Sequence, residues 1–194
     1  MSKKTPSGPA IFMYCVIAAT ALVSSVSFYL YYLCKYESTY LLWSGIVAFM
    51  IMYHLWLRII MGNVTKLFKL DANMMWFKER SFEKHIYEFL RVKKWKGKAL
   101  TYNPELFSLK DHTYTQIANT MTKAETDHWI NELISLSALL FALLWGKFWI
   151  FLVTSVAAML FDGQFILIQR YNRPRMLRLA AKQDKILSKE KLSV

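Results

Sequence analysis

Four stretches nearly empty of charge constrain this chain more than any other feature. Ile11 to Leu33 carries no Asp, Glu, Lys or Arg, and Leu41 to Met61 carries one, Arg58. Leu133 to Trp145 carries none and reaches spanning length once Trp129 and Ile130 are included, while Phe148 to Gln169 carries only Asp162. A helix crosses the hydrocarbon core of a bilayer with about 20 mostly apolar residues. The predicted fold is therefore an all-α integral membrane protein with about four transmembrane helices, near 11–33, 41–61, 129–146 and 148–169, forming a single membrane domain over 1–194. The first run is too long for the apolar region of a signal peptide and ends in tyrosines rather than a small-residue cleavage site, so it is expected to stay attached as an anchor.

Charge completes the reading. The chain is 55% hydrophobic, with a mean hydropathy of +0.23, yet its net charge is +12 from 25 Lys+Arg against 13 Asp+Glu. Such apolar content excludes disorder. A nucleic-acid binder would be basic without needing long apolar runs, and no recognised RNA or DNA module surrounds these cations, so no nucleic-acid partner is expected. The cations are segregated: 12 lie between Gly62 and Trp129 and eight after Gln169, with Lys3 and Lys4 at the N-terminus. The two remaining connections hold only Lys35 and Lys147. By the positive-inside rule both termini and the central segment are cytoplasmic, and membrane lipids are the expected partners. Cys15 and Cys34 give no disulfide framework or metal spacing and are expected as inert buried thiols.

The central segment, 62–128, lies at the lower size limit for an independent core. Met75, Phe82, Ile86 and Phe89 recur at helix-compatible spacing, and the stripe runs on into Val92-Lys93-Lys94-Trp95-Lys96. This predicts an amphipathic helix in the cytoplasmic interface, apolar side in lipid and lysines near headgroups. Asn103-Pro104-Glu105 has the order of a helix start, with cap, proline and first-turn acid.

Chemistry is sought among polar residues that are costly where they stand. His54 and Arg58, four apart in the second run, share a face, while Glu132 and Asp162 sit in the third and fourth. All four are expected in the cytoplasmic half of the membrane, where charged groups face a bundle interior. They line a substrate pocket, or Asp162 pairs with Arg58 or Lys147 merely to hold helices together. Glu125, His128, Glu132 and Ser135, spaced three, four and three apart, share one face of a helix expected to begin near Lys123. A carboxylate one turn from an imidazole can orient it as a general base, with Glu125 serving His128. The alternative is an ordinary polar face at the headgroups. Glu-x-x-His is also a metal-ligand spacing, but a single copy makes metal the lesser reading and no metal is expected. His85 with Glu88, three apart, is a second base-and-orienter candidate, or a surface histidine. His112 has no helical partner. After the fourth run, Arg170, Asn172, Arg173 and Arg175 surround Pro174, which is expected to stop the helix so that the arginines fold back onto a pyrophosphate or carboxylate. The alternative is that such arginines mark topology and contact anionic lipid.

Phe82-Glu83-Lys84-His85, Val92-Lys93-Lys94-Trp95-Lys96, Lys123-Ala124-Glu125 with His128-Trp129, and Gln169-Arg170-Tyr171-Asn172-Arg173-Pro174-Arg175 occur in that order. Together they resemble the motifs of the glycosyl-4,4'-diaponeurosporenoate acyltransferase family, small bacterial membrane enzymes, over roughly residues 80–177. The resemblance implies transfer of a fatty acyl group to a sugar hydroxyl of a glycosylated carotenoid acid, the last step of staphyloxanthin-type pigment synthesis at the bacterial cytoplasmic membrane. By motif match it adds Glu83 to the catalytic candidates His85, Glu88, Glu125 and His128. It places Arg170, Asn172, Arg173 and Arg175, with Trp95 of the lysine-rich run, among substrate-binding candidates beside His54, Arg58, Glu132 and Asp162. The expected partner is an amphipathic glycolipid or carotenoid glycoside. No cofactor is expected, only an acyl donor such as acyl-CoA as co-substrate. No cysteine or elbow serine stands near the motifs, which favours direct transfer over an acyl-enzyme. A metal-dependent membrane hydrolase or transferase, and a non-catalytic lipid-binding subunit, are the competing classes.

Overall fold

The computed structural model describes residues 8–99 and 104–192. Lys3, Lys4 and Asn103 lie outside them. The described residues contain helices and turns and no strand. Their α-helices are α1 (Gly8–Phe28), α2 (Thr39–Val64), α3 (Ser81–Phe89), α4 (Val92–Trp95), α5 (Tyr114–Ser137), α6 (Ala142–Trp145) and α7 (Phe148–Leu192). Ile11–Leu33, Thr39–Leu67, Tyr114–Trp145 and Phe148–Glu190 are each long and apolar enough to cross a membrane. The fold is all-helical with four candidate membrane-spanning helices, as the uncharged runs predict.

The helices depart from the sequence reading at several points. α5 begins at Tyr114, well before Lys123, where Thr113 and Gln116 cap each other: the Gln116 N–H donates to Thr113 Oγ1 at 3.2 Å and the Thr113 N–H to Gln116 Oε1 at 2.8 Å. α7 does not stop at Pro174 but continues to Leu192. A proline inside a helix forfeits a backbone bond and costs about 3 kcal/mol. Here Arg170 and Arg173, both next to the break, are held by ion pairs, which offsets that cost and keeps the chain helical. The expected fold-back of the arginine tail is thereby corrected. The stripe through Phe89 does not continue as one helix either, since Arg91 takes a left-handed φ of 50° and separates α3 from α4. Pro104 and Glu105 open a single 3-10 turn, Pro104–Phe107, rather than an α-helix. Cys15 and Cys34 are free but exposed, not buried, because they face outward from α1 and its terminus.

The chain divides into two compact units. The first comprises 1–64 and 130–160. In it α1 packs along α2 through small residues: Ser27 Oγ lies 3.2 Å from Ser44 Oγ, and a Cβ added at Gly45 would meet the Phe28 ring at 2.9 Å. Close approach through small residues is how helices associate where no water drives them together. The core holds Leu42, Ile46, Met50, Ala138 and Phe151, surrounded by aromatic rings including Phe49, Tyr53 and Trp145. Large apolar side chains such as Leu22, Leu143 and Val153 are exposed, an apolar surface that suits lipid and not water.

The second unit comprises 65–129 and 161–194. Its interior collects Ala72, Phe77, Tyr87 and Val92 from the central segment, Ile117, Ala118 and Met121 from α5, and Ile166 and Ala180 from α7. The Asn119 side chain accepts the Ala72 backbone N–H at 2.9 Å, fastening the central segment to α5.

Candidate functional site

The second unit buries charge as well as hydrocarbon. Thr122, Glu125 and His128 are spaced three apart on α5, so they lie along one strip of its surface. Their partners on α7 run in the opposite order. Arg173 Nη1 donates to Thr122 Oγ1 at 3.4 Å, Arg173 Nη2 to Glu125 Oε2 at 2.5 Å, and Arg170 Nη1 to Glu125 Oε1 at 3.0 Å. His128 Nδ1 lies 2.8 Å from Asp162 Oδ1. This is an antiparallel pairing of two helices through polar side chains, one turn at a time.

Glu125 is fully buried, and both its oxygens are occupied: Trp129 Nε1 adds a third donor at 3.2 Å. Arg170 is shared with α3, where Nη2 meets Glu83 Oε1 at 2.9 Å, and it also donates to the Trp76 carbonyl at 3.1 Å. Tyr87 donates to the second Glu83 oxygen at 2.8 Å. Arg173 has no exposed surface and lies over the Phe77 ring, 5.0 Å from its centroid. Two carboxylates and two guanidinium groups thus balance one another inside the unit, the arrangement under which buried charge is tolerated. Burial and the Glu83 carboxylate together push the Tyr87 phenol well above its usual range, so it stays a donor at any physiological pH.

Glu125 therefore does not orient His128 as its spacing implied; its charge is spent on Arg170 and Arg173. The carboxylate that serves the imidazole is Asp162, from α7. Asp162 is buried, whereas the His128 side chain keeps 22% of its surface exposed. The ring stacks on Phe165 at 4.8 Å between centroids with planes 8° apart. With Nδ1 directed to Asp162, Nε2 has no hydrogen-bond partner among the described residues. A fixed imidazole with one nitrogen on a buried carboxylate and the other available is the arrangement of a general base.

The other candidates fall as follows. Arg173, expected to grip donor phosphates, is committed to Glu125 and Thr122 and inaccessible. Glu83, expected among catalytic groups, is buried on Arg170 and Tyr87. His85 and Glu88 are exposed on the opposite side of α3 and make no hydrogen bond to each other among the described residues. Trp95 donates its indole N–H to the Leu90 carbonyl at 2.9 Å, bracing the turn between α3 and α4. Asn172 accepts from Lys96 Nζ, and Arg175 is exposed. His54, Arg58 and Glu132 belong to the first unit. There His54 is buried and donates from Nδ1 to the Met50 carbonyl at 2.7 Å, while Arg58 and Glu132 are half-buried. Ser135, also in that unit, donates to the Asn131 carbonyl at 3.0 Å. A metal site built on Glu125 and His128 is incompatible with this geometry, because two arginines hold the carboxylate.

Tyr87, Thr122, Phe77 and Phe165 escaped the sequence reading. Only Thr122 left a signal, three residues ahead of Glu125 in the same register as His128. The apolar stripe of α3 is turned outward: Phe82 is 54% and Phe89 86% exposed, while Glu83 and Tyr87 face the interior.

A family model described as glycosyl-4,4'-diaponeurosporenoate acyltransferase matches residues 73–182. The match covers more than half of the chain and takes in the whole charge network and the His128–Asp162 pair. No curated protein and no solved structure matches the chain.

Proposed function

The chain belongs to the glycosyl-4,4'-diaponeurosporenoate acyltransferase family, and from that premise we propose that it moves a fatty acyl group from a thioester donor such as acyl-CoA to a sugar hydroxyl of a glycosylated carotenoid acid, with His128 as general base. The observation that carries this reading is the 2.8 Å contact of His128 with buried Asp162, inside the matched segment.

The chemistry balances with these two side chains. His128 Nε2 accepts the proton of the attacking sugar hydroxyl as its oxygen bonds to the thioester carbonyl carbon. Asp162 stabilises the imidazolium that forms. When the tetrahedral intermediate collapses, the C–S bond breaks and the imidazolium returns the proton to the leaving thiolate, giving an ester and a free thiol. Phe165 limits rotation of the ring, so Nε2 keeps its direction between the two transfers.

In this reading the protein lies in the bacterial cytoplasmic membrane, which the family match supports, with both termini and the central segment on the cytoplasmic side, which the cation distribution supports. The exposed Met75, Phe82 and Phe89 side chains then enter the lipid beside the headgroups. The carotenoid chain of the acceptor lies among apolar surfaces and its sugar at the interface.

The test is acyl transfer by purified protein in detergent, with acyl-CoA and the glycosylated carotenoid acid as substrates. His128→Ala is expected to lower kcat roughly 100- to 10,000-fold, the usual contribution of a positioned base. Asp162→Asn should lower it in the same direction with KM little changed. Wild-type turnover in both variants would remove the proposal. A lipid-binding subunit without catalysis would show no transfer by the wild type.

A further inference from the structure

The charge network does not take in the cations around the Lys96–Asn172 contact. Glu83 and Glu125 are taken by Arg170 and Arg173. Lys93 on α4, Lys96 just after it, and Arg175 on α7 form no ion pair with a carboxylate among the described residues. Lys96 is held by neutral groups instead. Its Nζ donates to Asn172 Oδ1 and lies 4.5 Å from the centroid of the Tyr171 ring. An amide oxygen and an aromatic face position an ammonium without cancelling its charge. Partial burial, and then the proximity of Arg175 and Lys93, hold the Lys96 ammonium below the usual lysine range. Lys93 stands three residues before Lys96, and Arg175 three residues after Asn172 on α7, so the Lys96–Asn172 hydrogen bond gathers these like charges in one neighbourhood. A fold gains nothing from their repulsion unless an anion relieves it.

We propose that Lys93, Lys96 and Arg175, with the side-chain amide of Asn172, form a binding site for a phosphate ester. Arg175 offers a planar fork that matches phosphate oxygens bidentately, and two lysines supply compact charge beside it. With its oxygen bound to Lys96, the Asn172 amide retains its NH2 as a further donor. A phosphate ester turns several oxygens toward its surroundings and can meet the fork and both ammonium groups at once, whereas a carboxylate has two oxygens in one plane. The phosphate is supplied by the nucleotide portion of a thioester donor or by an anionic lipid headgroup. The first source deepens the acyl-transfer reading and rests on it; the second does not.

The experiment uses the full chain in nanodiscs. In phosphatidylcholine discs, coenzyme A is titrated calorimetrically into wild type, Lys96→Met, Arg175→Gln and Lys93→Gln, with Lys96→Arg as the conservative control. Binding weakened about tenfold by each loss of charge, and largely kept by Lys96→Arg, supports the site with a soluble donor. In a second arm the discs contain phosphatidylglycerol, and lipid retention is read by native mass spectrometry. Phosphatidylglycerol held by wild type and lost by the variants, without coenzyme A binding, supports the site with a lipid headgroup. Lys93 is exposed, so its variant keeps the test valid if the others unfold. Unchanged binding in both arms would overturn the proposal. Because binding is read without turnover, coenzyme A binding by a protein that transfers nothing removes only the acyltransferase reading. Transfer with unaltered binding in Lys93→Gln and Lys96→Met removes only the site.

Discussion

Glu125 shows how a residue can be found by its spacing and still be given the wrong task. Three residues before His128, it has the position of an orienting carboxylate, but its partners come from residues 45 and 48 positions away. Asp162, which takes that task, is 34 positions from His128. Local periodicity places residues on a shared face and says nothing of which face of a distant helix will meet it. Removing the Glu125 charge leaves the buried Arg173 guanidinium without its carboxylate, while Arg170 keeps Glu83, and breaking such a pair costs about 3–5 kcal/mol. Glu125→Gln is therefore expected to lower the Tm of the purified protein sharply, whereas Glu88→Gln, on the exposed side of α3, should leave it unchanged. Equal Tm values would show that the network carries no stability. Tyr87 gives a second expectation. Its phenol, raised above the unfolded value of 10.0, keeps its proton in the folded state when the unfolded chain has lost it. Stability from this group is intact below pH 10.0 and falls as pH rises beyond it. Thermal unfolding of Tyr87→Phe across that window should show a shallower decline than wild type.

At the scale of elements, the apolar runs were legible and the helix ends were not. The four uncharged runs each lie within a candidate span because hydrocarbon accepts only a backbone that satisfies itself. The proline rule failed at Pro174, where interactions of Arg170 and Arg173 with other elements override a local penalty. The α3 stripe was found by its period, but Glu83 and Tyr87, the residues between its apolar members, are the ones that face inward. Period 3.6 identifies an amphipathic helix without saying which side meets protein when lipid competes for the apolar one. The packing of α1 on α2 is directly testable. Gly45→Leu forces a side chain against Phe28 and Ser27. Overpacking of this kind costs about 1–3 kcal/mol, so Tm should fall while acyl transfer at low temperature persists, since Gly45 lies outside the matched segment. Unchanged stability would mean that the two helices separate freely.

For the whole molecule, the strong positive charge and the high apolar content have separate uses. Apolar residues make four helices suited to a bilayer; the cations concentrate in the central segment and after Gln169, where they set the expected topology. Two of those cations are then drawn into the second unit to balance Glu83 and Glu125, which fastens α3, α5 and α7 around the His128–Asp162 pair. The family match covers 73–182 and leaves α1 and α2 outside. The most direct test is mass spectrometry of pigment extracted from cells that make the glycosylated carotenoid acid and express this protein. Wild type should convert the pigment to a species heavier by one fatty acid less water, and His128→Ala, present in the membrane at equal amount, should leave it unacylated. Acylated pigment at the wild-type level in the His128→Ala cells, or none with wild type, would contradict the account.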